Sequence, residues 1–271
     1  MFGYIPEFKD HYINLLKFTE YNTQHCNDSL EFLYDKNKKE LSYIRNKYEL
    51  TKVAGNSSDI SQLLNIMGWL HEKIKHDNVA PPKICNAIHI LDLAHDKRIK
   101  MNCYVLATIL NEMLLSLGFY SRRLHCRSYD AYDLDSHVVT SVFLESMNKW
   151  IYLDPSWNVY VTDDSGNLLG LQEFRERLRN SQPVWVNGNP EETDWTKFYK
   201  GYMAKNLFWF ITPQNSTFNF EESVINKTYY ILLPDHFIPL ELNNTKSEKG
   251  TNIRITTTSP YEFWKSPIQT V

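Results

Sequence analysis

Three residues of the chain can act together chemically: Cys103, His137 and Asp154. A thiol, an imidazole and a carboxylate are a nucleophile, a general base and a group that orients the base. Cys103 follows Asn102, whose side-chain oxygen can accept from the free amides of a first helical turn. From Cys103 the apolar residues fall at Leu106, Ile109, Leu110, Met113, Leu114 and Leu117, the pattern of a helix with one buried face. Gly118 can take the left-handed conformation that closes the last turn. The thiol then lies at the positive end of a helix dipole, which lowers its pKa and enlarges the thiolate fraction. Position alone does not decide the matter, because a free cysteine heading an apolar helix is commonly a small packing residue.

The elements that must position the other two follow downstream. His137 opens a run of β-branched residues over 138–144, Ser146 to Lys149 reads as a turn, and Trp150 to Asp154 is a second strand stopped by Pro155. A turn centred on Glu145 and Ser146 would set His137 opposite Asp154. The turn residues lie later, which leaves the two on one face but staggered, and a bulge or shifted turn is expected to close the gap.

On these residues the segment from Cys103 to Asp154 resembles the core of the transglutaminase-like superfamily of papain-type thiol enzymes. Its marks are Cys103-x-x-x-Ala107 on an apolar helix, Leu117-Gly118-Phe119-x-x-Arg122, His137 at a strand start, and Lys149-Trp150-x-x-x-Asp154-Pro155. Trp69-Leu70-His71 with His76-x-Asn78, and Leu171-Gln172-Glu173-Phe174-Arg175, are similar to flanking segments of bacterial members. The resemblance covers about residues 40–180. The chain departs from it in having Lys100-Met101-Asn102 where many members carry a glycine before the Cys, and Val138-Val139-Thr140 after the His.

The resemblance implies an α+β papain/transglutaminase-like fold, with a helical N-terminal lobe on an antiparallel sheet. It implies a peptide or protein carboxamide as substrate, attacked by Cys103 with His137 as base and Asp154 behind it, through a thioester and without a cofactor. An oxyanion donor would come from the segment before the Cys, where Trp69, His76 and Asn78 are candidates; a helix cap explains His76 and Asn78 as well. Tyr104, Trp150 and Trp157 are candidate cleft residues, although aromatics mostly pack. Two other classes fit the same residues. One is a catalytically silent module binding peptide or glycan. The other is an amidase or a peptide deglycosylase, although the zinc-binding cysteine quartet that commonly accompanies deglycosylating relatives is missing.

The rest of the chain bounds these readings. Its 271 residues suffice for a sizeable core, and a net charge of −3 gives no long-range reason to expect nucleic acid or an anionic membrane as partner. No signal peptide or transmembrane run is visible, and Cys26, Cys85, Cys103 and Cys126 are widely spaced, which points to a cytoplasmic protein with reduced thiols and no metal site. Asp130, Asp133 and Asp135 lack the glycine and distal Glu of a calcium loop and read as a solvated loop. His125 and Cys126, on a strand, read as structural.

Residues 1–50 form an N-terminal segment, helical over 7–48, and 51–180 the catalytic core. Within the core, Ser58 or Asp59 caps a helix running to Ile74, and 84–94 forms another. The basic run 97–100 reads as a loop, and a charged helix covers 171–178. Residues 181–271 are an extension, irregular around Trp185, Trp195, Tyr199 and Tyr202. It then carries strands over 207–211, 228–233, 237–242 and 253–258, which either extend the catalytic sheet or form a small β-subdomain.

Overall fold

A seven-stranded sheet separates two layers of helices. The computed structural model describes residues 4–23, 30–95, 97–130, 132–239, 245–247 and 250–268. Its helices are α1 (Lys9–Lys17), α2 (Lys39–Lys47), α3 (Leu50–Ala54), α4 (Asp59–Lys73), α5 (Ala87–Leu93), α6 (Cys103–Ser116), α7 (Leu171–Arg179), α8 (Asp194–Asn206), α9 (Phe220–Ser223) and α10 (Pro260–Phe263). Its strands are β1 (Leu33–Tyr34), β2 (Ile74–His76), β3 (Ile99–Met101), β4 (Tyr120–Arg127), β5 (His137–Leu144), β6 (Lys149–Leu153), β7 (Val161–Thr162), β8 (Trp185–Val186), β9 (Trp209–Pro213), β10 (Asn215–Ser216), β11 (Lys227–Leu232), β12 (Thr245–Ser247) and β13 (Gly250–Thr257). The large sheet runs β12-β13-β11-β9-β4-β5-β6, and only β11 and β13 pair in parallel.

The fold is thus α+β, with an antiparallel centre. Side chains alternate between the sheet's faces with period two. Leu124, Cys126, Val139 and Tyr152 enter one core with α1, α7 and α8. Val142, Leu144, Ile151 and Leu153 enter the other with α2 to α6. The strands after residue 181 extend the sheet that holds β5, because β9 pairs with β4.

α6 is the axis of the second layer. Its predicted ends hold: Asn102 accepts from the Val105 amide at 3.0 Å. At the other end Phe119 donates back to Leu114 and Gly118 to Leu115, with Gly118 at φ 95. The expectation of one buried face is corrected, since every residue from Val105 to Ser116 is buried. Its polar residues are therefore paired. Asn111 donates to Ser216, and the Glu112 carboxyl accepts from the Ala87 and Asn219 amides. Burial drives the Glu112 carboxyl up to about 8 against those two bonds. Each fully buried Leu, Ile or Met on α6 contributes roughly 1.5–3 kcal/mol of apolar burial.

Several local expectations fail. Leu33–Tyr34 is not helical but pairs in parallel with Asn215–Ser216, a partnership 182 residues apart that no local pattern encodes. Part of the basic loop is a strand, β3, paired in parallel with β2. The stretch around Tyr199 is a regular helix, α8, capped by Thr193. Phe237 to Pro239 lie in no strand, and the remainder of that predicted strand, 240–242, lies outside the described residues. Cys26 also lies outside them. No helix among the described residues is long and apolar enough to cross a membrane.

Candidate active site

The start of α6 is fastened twice by Asn102, whose Nδ2 also donates to the Val79 carbonyl at 2.9 Å. That second bond ties it to the loop after β2. Within β2, His76 pairs with Met101, and the Asp77 amide donates to the Met101 carbonyl at 2.9 Å. The parallel β2–β3 pair thereby brings His76 beside the first turn of α6, close enough to lower the pKa of the Cys103 thiol.

His137 opens β5, and Asp154 follows directly on β6. Thr140 pairs with Leu153, so the ladder continued by one residue sets Asp154 beside Val139, two positions from His137. This is the predicted stagger, and the expected bulge is not needed. Diagonal neighbours on one face lie about 7–8 Å apart, a gap the imidazole spans. His137 Nε2 meets Asp154 Oδ2 at 2.7 Å. The Asp154 backbone makes a two-way bridge to Val159, at 2.8 and 2.9 Å, and Asp154 Oδ1 accepts from the Ser156 amide at 2.9 Å. The other imidazole nitrogen is left free for the thiol, which itself donates to the Ser136 carbonyl at 3.9 Å and lies close enough to raise the pKa of His137.

Cys103, His137 and Asp154 are thus brought together. His137 is 1% and Asp154 0% exposed, while Cys103 is half-buried. The Trp157 ring stacks on His137 at 5.0 Å, Tyr202 meets it edge-on at 5.4 Å, and His76 meets the Trp157 ring at 5.4 Å. Aromatic walls exclude water and strengthen the charges between them.

The electrostatics follow from this enclosure. Burial alone would push the Cys103 thiol up. Hydrogen bonds from His137 and His76, the His137 charge and the Val138 amide outweigh it and bring the thiol down to about 6. Burial also opposes a charged imidazole, but the Asp154 carboxylate and the thiol raise His137 to about 10. Burial works against Asp154 as well, yet His137, the Tyr199 hydroxyl and the Ser156 amide hold its carboxyl below the ordinary range. These shifts favour a thiolate–imidazolium pair backed by a carboxylate.

The other candidates are dispersed. Asn78 is exposed, and its amide turns back to Asp77 Oδ1. Trp69 packs in the helical layer against Tyr48, 6.3 Å between rings. Trp150 pairs with Phe143 on β5, six residues and about 20 Å along the strand from His137. There its ring lies 4.0 Å from the buried Arg122 guanidinium. Tyr104 donates to Glu221 Oε1 at 2.9 Å, beside His125.

Sequence reasoning missed three tyrosines and a lysine. Tyr199 donates to Asp154 Oδ2 at 2.8 Å, and the Tyr152 hydroxyl lies 3.3 Å from the same oxygen and against the Tyr199 hydroxyl. Tyr199 and Tyr202 stand on α8, whose capping signal, Thr193-Asp194, was readable. Lys205, one turn on, is buried and binds Asp133 at 2.7 Å and Asp135 at 2.8 Å. The acidic loop is therefore not simply solvated, because these two carboxylates neutralise an internal cation just before His137. Among the described residues no group of His, Cys, Asp and Glu is placed to hold a metal ion.

An α+β sheet protein with a thiol at the head of its central helix and an imidazole and carboxylate on adjacent strands belongs to a recognisable class. Residues 46–155 match the family model described as the transglutaminase-like superfamily. The matched segment includes Cys103, His137 and Asp154 and stops short of α8. The chain is also similar to a solved structure described as a candidate cysteine protease from Cytophaga hutchinsonii, at 15% identity and a TM-score of 0.36. That similarity covers 55% of this chain and 47% of the other, so the chain spans about half of that protein's length. The sequence matches no curated protein.

Proposed function

We propose that the protein is a thiol acyl-transfer enzyme that cleaves a peptide or carboxamide bond through Cys103, His137 and Asp154. One observation carries this reading: His137 gives Nε2 to a buried carboxylate at 2.7 Å while its other nitrogen serves a thiol brought down to about 6. The Cys103 thiolate attacks the carbonyl carbon, and the carbon–nitrogen bond breaks as the His137 imidazolium gives its proton to the leaving amine. The thioester is then opened by water, whose proton passes to the neutral imidazole, releasing the acid and restoring the thiolate. An amine replacing the water would make the reaction a transfer.

The tetrahedral oxygen needs donors where its charge develops. The Cys103 amide, at the free helix start, and the His76 imidazole are the candidate donors. Incubation with a peptide amide library, followed by intact-mass detection of an acyl adduct, tests the reading. An adduct lost in Cys103→Ala supports it. No adduct with any member, together with a Cys103 no more reactive than the buried Cys85, sinks it.

A further inference from the structure

Helix α8 meets the site at Tyr199, Tyr202 and Lys205, each three residues after the last and together strung over about 9 Å of its axis. Tyr199 donates to Asp154, the Tyr202 ring lies edge-on to His137, and Lys205 reaches the segment that leads into β5. Lys205 is 3% exposed, and the Tyr202 ring lies 5.6 Å from its ammonium. That ammonium has three protons to place. Three oxygens take them: Asp133 Oδ2 at 2.7 Å, Asp135 Oδ2 at 2.8 Å and the Asp135 backbone carbonyl at 3.2 Å. Two carboxylates already neutralise the cation. The third bond does something else, because it fixes the peptide that joins Asp135 to Ser136.

The next carbonyl along the chain is the one at the thiol. Ser136 O accepts from Cys103 Sγ at 3.9 Å, and the Val138 amide helps to bring that thiol down. The residues on both sides of His137 therefore act on Cys103. The segment is also tied within itself, since Asp133 Oδ1 accepts from the Asp135 amide at 2.9 Å. From His137 onward the ladder with β4 holds the chain, Cys126 facing His137 and His125 facing Val138. Ahead of that ladder, Lys205 is the anchor.

We propose that Lys205 is a positioning residue for the thiol chemistry. By holding the Asp135–Ser136 peptide it sets the Ser136 carbonyl against Cys103 and keeps the entry to β5 where His137 meets the sulfur. A thiol whose proton rests on a fixed carbonyl keeps its sulfur within reach of the imidazole that will take the proton. A loosened peptide lets both drift, and a misplacement of about 1 Å can cost roughly a hundredfold in rate. The proposal rests on Cys103 being the nucleophile, and its test separates the two.

The triple variant Lys205→Met, Asp133→Asn, Asp135→Asn removes the clamp without stranding a charge. The readout is the pH midpoint of Cys103 alkylation by iodoacetamide, followed at that residue by mass spectrometry. Charge alone predicts a lower midpoint, because one ammonium against two carboxylates leaves a net negative charge that the variant loses. Positioning predicts the opposite: a midpoint raised by about one pH unit, with kcat on an amide substrate about tenfold lower and KM nearly unchanged. A merely structural pair would move the melting temperature and neither of these. Ser136→Gly leaves the ion pair in place and loosens the carbonyl directly, so it should raise the midpoint as well. A midpoint that falls or stays in the folded triple variant overturns the proposal. So does a parental midpoint in Ser136→Gly, which decides alone where the triple variant does not fold. Alkylation needs no turnover. Absence of an acyl adduct therefore sinks the nucleophile reading separately, while the midpoint decides the role of Lys205.

Discussion

The Tyr199 hydroxyl donates at 2.8 Å to Asp154 Oδ2, the same oxygen that His137 holds at 2.7 Å. The bond crosses 45 residues and fastens the orienting carboxylate to α8. Asp154 therefore answers to two elements, β6 through its backbone and α8 through its side chain. Its carboxylate is kept charged by these donors and by the Ser156 amide.

Tyr199→Phe removes one donor from a buried anion. Hydrogen bonds to charged groups contribute about 1.5–3 kcal/mol, and Tyr152 and His137 remain on the same oxygen, so the loss should fall toward the lower end. The expected outcome is roughly a tenfold fall in kcat with little change in KM, and a lower melting temperature. Tyr202→Phe is the control, because it keeps its ring against His137 and should change neither quantity much. Equal effects from both variants would mean that the hydroxyl on Asp154 is unimportant.

The ionisations set a pH window. The Cys103 thiol is lowered to about 6, so the thiolate is present above that pH and lost below it. The His137 imidazole is raised to about 10, so the imidazolium that protonates the leaving amine is present below that pH and lost above it. Turnover should rise through about pH 6 and fall through about pH 10, whereas alkylation of Cys103 by iodoacetamide should show only the lower limb. Stability follows the same signs. The His137 contribution is complete below its unfolded pKa and lost as pH rises through about 10; the thiolate contribution is lost as pH falls through about 6. An alkylation midpoint near the ordinary thiol value would contradict the hydrogen bonds from His137 and His76.

Lys205→Met should be among the most damaging changes outside the triad. It leaves Asp133 and Asp135 without their cation beside a buried site, and removing one partner of a buried ion pair costs about 3–5 kcal/mol. Lys205→Met combined with Asp133→Asn should lose less than Lys205→Met alone, because the double change removes the stranded charge with its partner. Urea midpoints of the single and double variants measure this. Additive losses would show that the loop holds its shape without the pair.

Much of this site was legible because its signals are local. Asn102, Cys103 and Gly118 mark a helix by its cap, its first position and its left-handed stop, each within a turn of chain. His137 and Asp154 could be paired because one short turn joins their strands; even the two-residue stagger followed from the turn residues. What was not legible depends on chain returning from far away. β1 pairs with β10 across the molecule, and Tyr199 and Lys205 arrive from α8 to meet groups 45 and 72 residues earlier. α8 itself was misread because its aromatic positions are interleaved with Lys197 and Lys200, which blurs the helical period. The buried faces of α6 were misjudged because Thr108, Asn111, Glu112 and Ser116 look solvent-facing until their partners are known.

Cys103 and His137 should fail together. Cys103→Ala removes the nucleophile, and His137→Ala removes the base, the acid and the partner of the thiolate. Either should abolish nearly all turnover, and the double variant should be about as inactive as each single one, because groups acting as a unit lose function non-additively. Clearly additive losses would argue that the two act in separate steps.

Asp154→Asn tests the orienting role most directly. The carboxylate accepts from His137 Nε2 and leaves the other ring nitrogen to exchange a proton with the thiol. An amide can present its NH₂ to Nε2 instead, which selects the tautomer with its proton on the wrong nitrogen. It also removes the negative charge that raises His137, so the imidazolium and the thiolate it supports should both decline at neutral pH. Asp154 has a local duty too: Oδ1 accepts from the Ser156 amide at 2.9 Å in the turn entered through Pro155. Asn fills that kind of position about as well as Asp, so the turn should survive. The expected variant is folded, melts within a few degrees of the parent, turns over at a small fraction of its rate, and shows Cys103 alkylation displaced to higher pH. A variant that melts much earlier while its Cys103 alkylates normally between about pH 5 and 9 would instead make Asp154 a scaffold residue.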